Sequence, residues 1–205
     1  PRRVRLLRGS PDAAAGNREA ARLVPDCPGL LQWVSIDPTR EETYAQAETM
    51  LATPHCVGIK IHPEEHVYPF ADHGHQIFEF AARHKAVILT HSGHQHSLPA
   101  DIVPVANAFP EVRVILAHIG CSDTSDRTLQ VRAIQQSTQG NVYTDTSSAM
   151  SITPRRIYWA VDEHGTDPNA CHTPPATATL NHKLFRKTIK VLSSNAVFYH
   201  LSYVG

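Results

Sequence analysis

The chain has 205 residues, 41% hydrophobic and 19% charged, with 19 Lys and Arg balancing 19 Asp and Glu. That length supports one domain (1–205) with a substantial core, and the zero formal charge argues against nucleic-acid or anionic-membrane partners, which need a basic surplus. No stretch approaches the roughly 18 consecutive apolar residues of a membrane helix, and the arginines at the start are not followed by the apolar core of a signal peptide.

The first apolar run, Val4-Arg5-Leu6-Leu7, is the weakest. A strand is expected at 30–36. After Pro38 a helix follows over 39–51, with Thr39-x-x-Glu42 as its capping box. The run at 57–61 is the next strand. A helix over 73–83 then places Ile77, Phe78, Phe80 and Ala81 at helical spacing. Strand 86–90 precedes a short helix at 101–108, ended by Phe109-Pro110, and strand 112–117 comes next. Helix 128–136 carries Leu129, Val131 and Ile134, with Gly140 as a stop before strand 141–144. Beyond it, 166–179 reads as loop, 181–192 as helix and 197–201 as a closing apolar segment. Near-continuous β-branched runs suit strands buried on both faces of a parallel sheet. Their alternation with helices is the pattern of a doubly wound sheet or a (β/α) barrel. No G-x-G-x-x-G or P-loop follows any strand, so a nucleotide-binding sheet has no visible phosphate cradle.

Four cysteines (Cys27, Cys56, Cys121 and Cys171) form no C-x-x-C pair and read as reduced, mostly buried thiols of a cytoplasmic protein. Histidine is abundant, at 14 residues, and its placement is informative. His62, His91 and His118 each directly follow an apolar run, as does Asp145. In parallel βα folds the C-terminal strand ends share one face, so such side chains converge on one cleft. One histidine there is commonly structural; several together make a metal or acid–base site.

These residues resemble the amidohydrolase-related TIM-barrel family of metal-dependent hydrolases and decarboxylases. Four motifs carry the resemblance: Gly58-Ile59-Lys60-Ile61-His62-Pro63 at the fourth barrel strand, Leu89-Thr90-His91-Ser92-Gly93 at the fifth, Leu116-Ala117-His118-Ile119-Gly120 at the sixth, and Tyr143-Thr144-Asp145-Thr146-Ser147-Ser148 at the seventh. The resemblance implies a (β/α)8 barrel, with His91 as a metal ligand and His118 as a second ligand or the catalytic acid–base. The eighth strand of the family ends in Gly-(Ser/Thr)-Asp, which Gly165-Thr166-Asp167 matches by letter, making Asp167 a ligand and proton acceptor. A second alignment puts Gly165 in the loop before that strand. The implied cofactor is a divalent metal; Zn²⁺ suits imidazole and carboxylate best, with Mn²⁺ or Fe²⁺ tolerated.

The first strand of the family carries a His-x-His metal pair that does not open this chain. His73-Gly74-His75 and His94-Gln95-His96 lie elsewhere. The expected fold is therefore a barrel lacking its first strand and irregular near the eighth. Because the chain begins at Pro1, it is expected to be a piece of something longer, or to cover the gap with a terminal strand or a homo-oligomeric partner.

Lys60, His62, His94 and Asp145 are the expected substrate-binding residues. Lys60 also fits barrel packing, His62 a strand cap, and Asp145 a backbone hydrogen-bonding role. Trp33 and Trp159 are expected to pack, and Glu64-Glu65 to be a solvated pair. The leading function is hydrolysis of a C–N or C–O bond in a small molecule (amide, lactone or ester) through a metal-activated water. The alternatives are metal-dependent decarboxylation of a small carboxylate and a non-catalytic barrel acting as a binding or oligomer subunit.

Overall fold

The structure, a computed structural model, describes residues 12–27 and 30–145. The weak run at 4–7, Asp167, Ser147, Trp159, Cys171 and the expected elements at 181–192 and 197–201 lie outside the described residues.

Five strands, β1 (Gln32–Ser35), β2 (Cys56–Ile61), β3 (Ile88–Thr90), β4 (Val114–Leu116) and β5 (Val142–Thr144), form one parallel sheet in consecutive order. The helices are α1 (Ala13–Leu23), α2 (Glu41–Leu51), α3 (Phe70–His84), α4 (Pro99–Ala108) and α5 (Leu129–Gln136). A doubly wound sheet reverses its strand order at a switch point; the described strands never reverse. Each right-handed crossover therefore places its helix on the same face, as in a barrel wall.

Strand pleating separates two apolar clusters. Val34, Ile59, Ile88, Val114 and Val142 face the helices and pack with Ala47, Ile77, Ile102 and Ala133, one from each of α2 to α5. On the other face Leu89, Ile115 and Ala117 pack with Trp33, Val87 and Tyr143. Register aligns Ser35, Lys60, Leu89, Ile115 and Tyr143 in one row across that inner face. Trp33 packs as expected. Its ring lies over Gly58, where an added Cβ would stand 2.6 Å from the ring and 2.5 Å from the Val87 carbonyl oxygen.

The capping box does not form. Arg40 occupies the N-cap of α2 without a side-chain cap, and the Thr39 hydroxyl donates to Asp37 Oδ1 at 2.7 Å instead. A local Asx-type turn out-competes the helix for that hydroxyl. Nothing in the sequence reading anticipated α1, an alanine-rich helix whose N-cap Asp12 accepts from the Ala15 amide. From α1, buried Asn17 accepts from the Ser35 amide and donates to the Ser35 carbonyl, both at 2.8 Å. One side-chain amide thus takes the polar groups of Ser35 that face away from β2, where a preceding strand would otherwise pair.

Candidate metal and acid–base site

The inner row above Lys60 gathers the candidate site residues. His62, His91 and Asp145 follow β2, β3 and β5 on the same parity as Lys60, Leu89 and Tyr143, and His118 follows β4. The structure brings the three imidazoles together. The rings of His62 and His91 stack at 4.3 Å with planes 8° apart, and His118 meets His91 edge-on at 5.3 Å. His94, in the loop after β3, joins them: its Nδ1 lies 2.7 Å from His91 Nε2.

His118 holds a backbone conformation that few non-glycine residues adopt, φ 67°. Its amide donates to Asp145 Oδ1 at 2.8 Å, and its carbonyl accepts from the Cys121 amide at 2.8 Å. The strand-end carboxylate therefore fixes the turn that presents His118 to the cleft, which is the backbone role open to Asp145. His62 also has a structural contact, since its Nδ1 accepts from the Glu65 amide at 3.2 Å. Glu64 is no solvated residue: its Oε1 accepts from the His96 amide at 2.7 Å and the Ser97 hydroxyl at 3.2 Å, tying the β2 and β3 loops together.

Burial and neighbouring positive charge disfavour the protonated forms of His62, His91 and His118. Desolvation first, then neighbouring His and Lys charges, push His91 down to about 2 and His62 down to about 3. His118 is lowered mainly by burial, against the pull of Asp145. Part of the Lys60 surface stays open, yet desolvation of its ammonium lowers it to about 8, opposed by Asp145 and Glu65; at neutral pH most of it remains charged. Neutral imidazoles are what metal ligation requires. Buried His91 Nδ1 has no hydrogen-bond partner among the described residues, so the donor set fits a divalent cation.

Unfolding frees His62 and His91 to titrate near 6.5, above their folded values, so the unfolded chain binds more protons as pH falls. Metal-free protein should be most stable above pH 6.5 and weaken below it. The expected slope approaches about 1.4 kcal/mol per pH unit for each imidazole. Urea midpoints between about pH 8 and about pH 4 check this, and His62→Asn should flatten the curve. A midpoint independent of pH would show that the rings protonate freely in the fold.

Among the described residues, Cys27, Cys56 and Cys121 are free and half-buried, where the sequence suggested mostly buried thiols. Cys121, in the loop after β4, was not a sequence candidate, yet its donor atom lies within 4.8 Å of those of His91 and His94.

Parallel βα architecture with histidines gathered at the strand ends defines a (β/α) protein whose cleft could hold a metal ion. A family model described as amidohydrolase matches residues 6–188, and the chain belongs to that family. No curated protein matches the chain. Membership brings metal-dependent hydrolase or decarboxylase chemistry on small molecules and a TIM-barrel fold, with which the five-stranded parallel sheet is consistent. No helix of the described residues is long and apolar enough to cross a membrane.

Proposed function

We propose that this protein hydrolyses a C–N or C–O bond of a small amide, lactone or ester, on the inner face of a (β/α)8 barrel to which β1–β5 contribute. The observation that carries the reading is the convergence of His62, His91, His118 and Asp145 at the ends of four successive parallel strands. His91 would hold the cation, Zn²⁺ by preference, with Mn²⁺ or Fe²⁺ as substitutes. Asp167 is the carboxylate that the family resemblance assigns as ligand and proton acceptor. When bound, the cation supplies a water acidified towards neutral pH.

The chain's own residues do the rest. His118, lowered by burial and held by Asp145 through its amide, accepts and returns a proton at its ring. Lys60, His62, His94 and Asp145 are the side chains assigned to the polar groups of the substrate. Three free thiols suit a reducing, cytoplasmic setting.

One observation favours decarboxylation as a second reading: Lys60 stands in the inner row beside Leu89, two residues before His62, and a substrate carboxylate would complement its ammonium.

Elemental analysis of wild type and His91→Ala tests the proposal. Wild type should carry about one or two equivalents of metal, lost in the variant, and should cleave a member of an amide, lactone and ester panel. Carbon dioxide release from aromatic acids would favour the second reading instead. Wild type that stays metal-free after incubation with Zn²⁺ would refute both.

A further inference from the structure

We propose that His91, His94 and Cys121 form a mixed imidazole–thiolate site for one thiophilic divalent cation, with Asp123 closing it from the solvent side. The inference rests on the reading that His91 faces a metal, and it adds ligands from two loops.

The distances fit. His94 Nε2 lies 3.5 Å from Cys121 Sγ and 3.4 Å from Asp123 Oδ1. A nitrogen and a thiolate on one tetrahedral zinc stand about 3.6 Å apart, and a nitrogen and a carboxylate oxygen about 3.4 Å apart. Donor atoms of His91, His94 and Cys121 all fall within 4.8 Å of one another. The 2.7 Å between His91 Nε2 and His94 Nδ1 is a hydrogen-bond separation. The contacts to Cys121 and Asp123 use His94 Nε2 whereas Nδ1 faces His91, and two imidazoles on one zinc need about 3.3 Å, so loading must turn the His94 ring until one nitrogen faces all the other donors. That ring is half-buried, with part of its surface open to solvent.

The loops behind these donors are already fixed. Gly93 packs directly on the Cys121 carbonyl, whose oxygen would lie 2.0 Å from an added Cβ. Gln130 Nε2 donates to that same carbonyl at 2.9 Å and to Ser92 Oγ at 3.2 Å. The Asp123 amide donates to the Gly93 carbonyl at 3.2 Å, and the Gln95 amide donates to Asp123 Oδ2 at 3.0 Å, leaving Oδ1 towards His94. Supporting hydrogen bonds of this kind orient first ligands in metal sites. A thiolate among the donors selects Zn²⁺, Co²⁺ or Cd²⁺ over Mg²⁺ or Mn²⁺. Binding would release the Cys121 proton to solvent as the sulfur–metal bond forms.

Co²⁺ titration of the metal-free full chain tests the site. The expected result is a sulfur-to-cobalt charge-transfer band saturating with the metal, absent in Cys121→Ser and at least tenfold weaker in affinity in His94→Gln. Cys56→Ser and His118→Asn should retain the band. In wild type, Zn²⁺ should slow alkylation of Cys121 relative to Cys56, a readout that requires no variant to fold. Co²⁺ bound without the band, a band that survives Cys121→Ser, or alkylation of Cys121 indifferent to Zn²⁺ would each overturn the proposal. A band without turnover of any panel substrate would refute the hydrolase reading and leave this site standing; turnover without the band would do the reverse.

Discussion

Gly93→Ala is expected to destabilise the protein by about 3 kcal/mol or more, the scale of backbone-conformation and overpacking lesions. A Cβ at Gly93 would meet the Cys121 carbonyl oxygen at 2.0 Å and its carbon at 2.7 Å, and both are backbone atoms that cannot swing aside. The φ of +104° adds strain for any L side chain. Relief requires the β3 and β4 loops to part, which would separate His94 from Cys121 and displace His91. Gly16→Ala is the control: nothing stands within 4 Å of its added Cβ in helix α1. That change should stabilise by up to about 1 kcal/mol. Urea midpoints of the two variants decide the matter, and a Gly93→Ala midpoint equal to wild type would contradict the packing described.

His118→Asn should lower kcat by about 10²–10⁴ on any substrate the protein turns over, the usual weight of a positioned acid–base group. Asparagine is the informative replacement, because it adopts the left-handed conformation at φ 67° more readily than most residues. The Asp145 contact to the backbone amide survives the change. Stability should therefore move little, within about 0.5 kcal/mol, while the proton carrier is lost. Steady-state kinetics beside a urea midpoint separate the two effects. Full activity in a stably folded His118→Asn would remove this residue from the chemistry.

The strands were legible because each is a continuous apolar run, and all five described strands fall where those runs do. Four proved shorter, as at Ile88–Thr90 within 86–90, because flanking residues turn into helix and loop, while β2 begins one residue earlier than expected, at Cys56. Helix α3 was legible from Ile77, Phe78, Phe80 and Ala81, and begins three residues earlier, at Phe70. Helix α1 was not legible, because alanines bury a face without the large side chains that mark periodicity. His91, His62, His118 and Asp145 could be found because strand-end position is written in local sequence. Cys121 could not, since it stands 27 residues from His94 and only the packing of adjacent loops unites them. A spacing signal did exist for half of that group, the His91-x-x-His94 pair.

Consecutive strand order also bears on how the chain reaches this state. Each described strand after β1 pairs with the one just before it in sequence, so a growing polypeptide can dock each new βα unit onto an edge already formed as it leaves the ribosome. The described groups of the candidate site then arrive in sequence: His62, His91 with His94, His118 with Cys121, and then Asp145, whose carboxylate locks the His118 turn. A cation present during synthesis would meet its first histidines before the sheet is finished, and nascent chains made with and without Zn²⁺ should differ in when the 30–120 segment becomes protease-resistant.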